Sequence, residues 1–117
     1  MRRTTLQYLD DILEAADRIE RYTKNTSFEE FSSDTMRSDA VIRNFEVIGE
    51  AVKNIPEDLK KKYPNTDWRR IAGFRDILSH AYFGVRLTIL WDTIWNHLPA
   101  LKSEVREILR REETSTT

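Results

Sequence analysis

With 117 residues, the chain has the length of one domain and enough residues to bury a hydrophobic core. One third of the residues are charged while glycine and proline number three each, a composition that excludes a low-complexity or collagen-like chain and fits a helical domain. Cysteine is absent, which excludes disulfides, a thiolate nucleophile and zinc–thiolate sites; the net charge of −1 excludes a global field that would gather nucleic acid.

No apolar run approaches the roughly 20 residues that span a bilayer, and "MRRTTLQYLDD" lacks the apolar centre of a signal peptide. The expectation is a cytoplasmic protein with no membrane partner. From Thr4 to Thr23, two series step by three and four: Leu6, Leu9, Leu13, Ala16 beside Tyr8, Ile12, Ala15, Ile19, Tyr22. Together they cover about 200° of a helix, which predicts more than one packing neighbour.

Ser27 followed by Glu30 has the pattern of a capping box opening a short helical turn. From Met36 to Ile55, Val41, Phe45, Ile48, Val52 and Ile55 share a face, with Asp39, Arg43, Glu46, Glu50 and Lys53 opposite and Pro56 as the stop. The Arg43, Glu46, Glu50 face suits either intrahelical ion pairs or a polar partner surface. Gly49, in mid-helix, predicts a close helix approach. "PEDLKKKYPN" reads as a short turn and loop, and the Lys60 to Lys62 run as a solvated surface or a guide for RNA or an acidic partner.

Asp67 is the expected N-cap of a helix from Trp68 to about His80, with Gly84 supplying a left-handed ending. A further helix from about Arg86 carries Leu87, Leu90, Trp91, Ile94, Trp95 and Leu98 on its apolar side. Trp68, Trp91 and Trp95 are therefore expected in the core rather than as base-stacking platforms. His97, near that helix end, reads as structural. Pro99 opens a last segment with Leu101, Val105, Ile108 and Leu109. The domain is placed at residues 1–111, with 112–117 as a frayed tail. The fold class is all-α, an antiparallel bundle of four to five helices.

Within "FRDILSHAYFGV", residues 74–85, Phe74, Ile77, Leu78 and Ala81 form the packed arc and Arg75, Asp76, Ser79 and His80 the opposite one. Asp76 and His80 are an i, i+4 pair, spaced for a carboxylate to orient an imidazole. An arginine fork suits phosphate and a histidine titrates near neutrality, so the face is equipped for phosphodiester chemistry. A solvated polar face has the same residues. No H-E-x-x-H spacing or other metal-ligand set is present, His80 and His97 being the two histidines, and no cofactor is expected.

The segment "FRDILSHAYFGV" resembles the R-x-x-x-x-H-x-Y motif of the HepT family within the HEPN superfamily. "YLDDILEAADRIERYT", "DAVIRNFEVIGEAVKNIP", "YPNTDWRRIAGFRDILSHAYFGV" and "WNHLPALK" resemble that family in order along the chain. The resemblance implies a HEPN-like helical bundle that pairs as a homodimer, and a metal-independent endoribonuclease acting as toxin of a type VII-like toxin–antitoxin system. It implies Arg75 and His80 as catalytic groups, Asp76 and Ser79 as supporting ones, and Tyr82 as acceptor of AMP from an MntA-like nucleotidyltransferase antitoxin. A second function compatible with it is a non-catalytic, nucleotide-binding substrate of that transferase.

Overall fold

The computed structural model describes residues 3–73 and 87–115. Its described residues form seven helices and no strand: α1 (Thr5–Thr23), α2 (Phe28–Ser33), α3 (Thr35–Lys53), α4 (Glu57–Lys62), α5 (Trp68–Ala72), α6 (Leu87–Asn96) and α7 (Leu98–Ser115). The fold class is all-α, as expected.

Helix α1 is started by Thr4, whose hydroxyl accepts from the Gln7 amide at 3.2 Å while the Gln7 side chain accepts from the Thr4 N–H at 2.7 Å. Its wide apolar face is used on two sides. Leu9, Ile12, Ala15, Ala16 and Ile19 are fully buried, and the helix packs against both α3 and α7. After Thr23 the chain turns through Asn25 at φ 57°, a left-handed position that asparagine tolerates better than most side chains.

Ser27 caps α2 in the expected reciprocal arrangement with Glu30, at 3.1 and 3.4 Å. The short α2 places Phe31 in the core and Phe28 against it. In α3, Val41, Phe45, Ile48 and Val52 are buried as the spacing predicts, and Ile55 is buried just beyond the helix end. Gly49 is buried with them. On the outer side Arg43 pairs with Glu46 at 3.3 Å, the intrahelical ion pair that the residue spacing allows.

Three stretches differ from the sequence expectation: α5 ends at Ala72 with Gly73 as its C-cap, where a helix on to about His80 is expected. "EDLKKK" is a helix rather than a turn; no side chain caps it, and the burial of Leu59 supplies the packing that holds it to the bundle. The last helix continues past Arg111 through Ser115. There Glu112 accepts from Tyr63 Oη at 2.6 Å and from Lys62 Nζ at 2.9 Å, fastening the end of α7 to α4 and its following residue.

Lys102 provides a second fastening, from α7 back to α1. Its ammonium lies 2.6 Å from both Asp17 Oδ1 and Glu20 Oε1 with only 17% of its side chain exposed, and the two carboxylates hold its pKa above the usual lysine value. Among the described residues no buried side-chain nitrogen or oxygen lacks a partner. Thr23, Thr93 and Asn44 each donate to the carbonyl four residues earlier, at 2.8 Å. No helix among the described residues is long and apolar enough to cross a membrane.

Candidate functional site

Arg75, Asp76, Ser79, His80 and Tyr82, together with Gly84, lie outside the described residues. The structure gives the frame between which they run: α5 delivers the chain to residue 73, and α6 takes it up at Leu87.

The entry side is anchored by three local devices. Asp67 accepts from the Arg70 amide at 3.0 Å, capping α5 as its position predicts. Trp68, only 8% exposed, donates its indole N–H to the Tyr63 carbonyl at 3.0 Å, and Ile71 is buried beside the core. Five residues make too short a helix to stand by itself in water, so these tertiary anchors keep α5 in place.

The exit side is anchored by aromatic packing. Leu90 and Ile94 are buried, while Trp91 meets Phe31 at 5.2 Å between ring centroids and Phe28 edge-on at 5.9 Å. The short α2 thus fixes the position of α6.

Entry and exit are also tied to each other. His97 is the single residue between α6 and α7, and its Nε2 lies 2.6 Å from Arg70 Nη2. A guanidinium only donates, so Nε2 is the acceptor in this contact. His97 sits at the C-terminal end of α6, as expected, and makes this bridge in addition. Around it Asn65, Asp67, Arg70, Leu101 and Glu104 line a pocket of about 160 Å³. Burial, reinforced by the nearby Asp67 carboxylate, pushes the Glu104 carboxyl above its usual pKa. Arg69 and Arg70 are exposed on this side, giving the entry helix a positive surface despite the near-neutral chain.

The tryptophans divide. Trp68 is core and Trp91 packs against the core, as expected, but Trp95 is 48% exposed. It lies on the apolar side of α6 at its last turn, where the bundle no longer covers it, stacking edge-on to Trp91 at 5.5 Å. Its open side forms part of a groove of about 600 Å³ shared with the second half of α1. Periodicity shows which face a side chain takes but not where the neighbouring helix stops, so no sequence signal marks this exposure. The Arg70–His97 bridge, between residues 27 positions apart, was equally invisible.

Among the described residues no group of three or more histidine, cysteine, aspartate or glutamate side chains is placed to hold a metal ion.

A family model described as "Ribonuclease HepT-like" matches residues 12–108. The chain is 45% identical over 108 residues to a protein of Thermococcus cleftensis named "Probable ribonuclease HepT", covering 92% of this chain and 98% of that one. It is 41% identical over 111 residues to a protein of Caldanaerobacter subterraneus subsp. tengcongensis whose name marks it as a candidate RNase, covering 95% and 99% of the two chains. No solved structure gives a significant match.

Proposed function

The chain belongs to the HepT-like family, and on that premise we propose that it is an endoribonuclease of the HEPN type, the toxin of a type VII-like toxin–antitoxin pair. The observation that carries the reading is the extent of the match. It runs from residue 12 to 108 and so includes the full Arg75, His80 and Tyr82 pattern between the two anchored helices.

In the proposed reaction the 2'-oxygen of one nucleotide attacks its own 3'-phosphorus and the 5'-oxygen of the next nucleotide leaves. A base must take the 2'-proton and an acid must protonate the leaving oxygen. Each chain contributes one motif histidine, so a homodimer with the two motifs facing one another supplies both roles through His80 and its symmetry mate. Arg75 stabilises the charge that builds on the phosphoryl oxygens, Asp76 orients the imidazole, and Ser79 supports the same polar face. The reaction needs no metal and no organic cofactor.

Tyr82 is the proposed off-switch. An MntA-like nucleotidyltransferase antitoxin transfers AMP from ATP to the Tyr82 hydroxyl: a phosphoester bond forms at Oη and pyrophosphate departs. A bulky anion two residues from His80 obstructs the cleft and repels the RNA backbone. These partners place the protein in the cytoplasm.

The test compares purified wild type with His80→Ala on RNA in the presence of a chelator. Wild type cleaves and the variant does not; equal cleavage by both would sink the role given to His80. For the switch, incubation with the transferase and ATP adds the mass of AMP to wild type and nothing to Tyr82→Phe. Equal addition to both refutes Tyr82 as the acceptor.

A further inference from the structure

The groove beside Trp95 is unused by the reaction proposed above. It is lined by Ile94, Trp95 and Pro99 from α6 and α7 and by the charged second half of α1, and its volume of about 600 Å³ lies within the range of small-ligand sites. Its charges are unevenly committed. Glu14 is held by Arg18 at 2.7 Å, and Asp17 and Glu20 are held by Lys102. Arg21 and Lys24, both exposed at the same groove, have no hydrogen-bond or ion-pair partner for their side chains among the described residues. What the groove offers is therefore a half-exposed indole with two uncommitted cations beside it.

From this juxtaposition we infer that the groove is a substrate-binding subsite, in which a base of single-stranded RNA stacks on Trp95 and the adjoining phosphates meet Arg21 and Lys24. Each alternative occupant satisfies only part of the surface. An apolar helix from a partner would cover Trp95 but bury two cations without counter-charges, which is costly. An acidic peptide would meet the cations and leave the ring unused. A single strand presents π-faces and phosphates in alternation, which is the pairing that sequence-tolerant RNA-binding surfaces use.

The groove lies on the same helix that follows the motif segment in the chain. Trp95 follows Leu87 by eight residues of α6, a rise of about 12 Å, so the groove opens about two helical turns from the point where the motif segment rejoins the described structure. The inference rests on the nuclease reading, and it adds a hold on the substrate outside the motif.

The test uses a fluorescein-labelled, unstructured RNA with 2'-O-methyl groups, which lacks the attacking hydroxyl and reports binding alone. Affinity is read by anisotropy over a salt series for the full chain. Trp95→Ala weakens binding by about five- to a hundredfold, and Trp95→Phe, which keeps a stacking face, recovers most of it. The double variant Arg21→Ala with Lys24→Ala lowers the slope of log affinity against log salt by about 1.4. Circular dichroism checks that each variant is folded, and the double variant alters only exposed side chains.

The subsite is overturned if wild type does not bind this RNA, if both groove variants bind it as wild type does, or if Trp95→Phe binds no better than Trp95→Ala. It is also overturned if Trp95→Ala changes the sedimentation of the protein and not its RNA affinity, which would make the groove a contact between copies. The nuclease reading is tested separately on cleavable RNA. Cleavage by wild type with unaltered binding by the groove variants removes the subsite alone, whereas equal cleavage by wild type and His80→Ala removes the motif assignment whatever the groove does.

Discussion

Replacing Trp68 tests whether the five-residue α5 is held by tertiary anchors. Trp68→Ala empties a site that is 92% buried, and a truncation of this kind costs about 3–5 kcal/mol. Trp68→Phe keeps most of the packing but loses the indole hydrogen bond to the Tyr63 carbonyl. That carbonyl still accepts from the Thr66 amide at 3.3 Å, so it is not orphaned, and the loss is about 1–2 kcal/mol including the smaller ring. An unfolding entropy of about 2.1 cal/mol/K per residue over 117 residues gives roughly 0.25 kcal/mol/K, so each kcal/mol moves Tm by about 4 °C. The expected decreases are about 12–20 °C for Trp68→Ala and about 4–8 °C for Trp68→Phe, followed by far-UV circular dichroism during heating and by urea titration. Trp95→Ala is the internal comparison: its half-exposed ring predicts about half the Trp68→Ala loss, roughly 2 kcal/mol or less. A Trp68→Ala protein as stable as Trp95→Ala would refute the anchoring argument.

Acid should weaken the clasp on the end of α7. Hydrogen bonds from Tyr63 and then Lys62 hold the Glu112 carboxyl below its usual range, so its contribution is complete above the ordinary glutamate pKa and disappears as pH falls through the depressed folded value. Glu112→Gln should therefore be less stable than wild type at pH 7 and equal to it in strong acid; a pH-independent difference in urea midpoint would contradict this. Glu104 has the opposite sign. Its raised pKa makes the ionised form a cost at neutral pH, so Glu104→Gln should stabilise by up to about 0.5 kcal/mol at pH 7, with the gain shrinking as pH falls through the raised folded pKa and gone below the ordinary glutamate value. Destabilisation by Glu104→Gln at pH 7 would disprove that sign. Ser27→Ala removes the cap of α2 and should cost about 1 kcal/mol, with Ser27→Asp restoring most of it in thermal melts.

What the sequence made legible was local. The caps at Ser27 and Asp67 rest on residues three apart, and the two faces of α1 on steps of three and four, so each could be read without knowing the neighbours. What it concealed was contact between distant segments. The helix at "EDLKKK" depends on the burial of Leu59, the continuation of α7 accompanies the hold of Tyr63 and Lys62 on Glu112, and the frame around the motif is closed by Arg70 and His97. Arg75, His80 and Tyr82 were legible as a pattern that resembles the HepT motif, and they lie outside the described residues. Trp95 was assigned to the correct face and the wrong environment, since a periodic stripe carries no mark of where its cover ends.

The clamping of α1 between α3 and α7 has a consequence for biosynthesis. As the chain leaves the ribosome, α1 can pair early with α3, whose residues follow closely, but its second face stays bare until Lys102 and the apolar side of α7 have emerged. Residues 74–85, which resemble the family motif, come out before that closure. The nascent polypeptide therefore carries the segment between α5 and α6 for a time on an unfinished scaffold, which is completed late, when the final long helix docks.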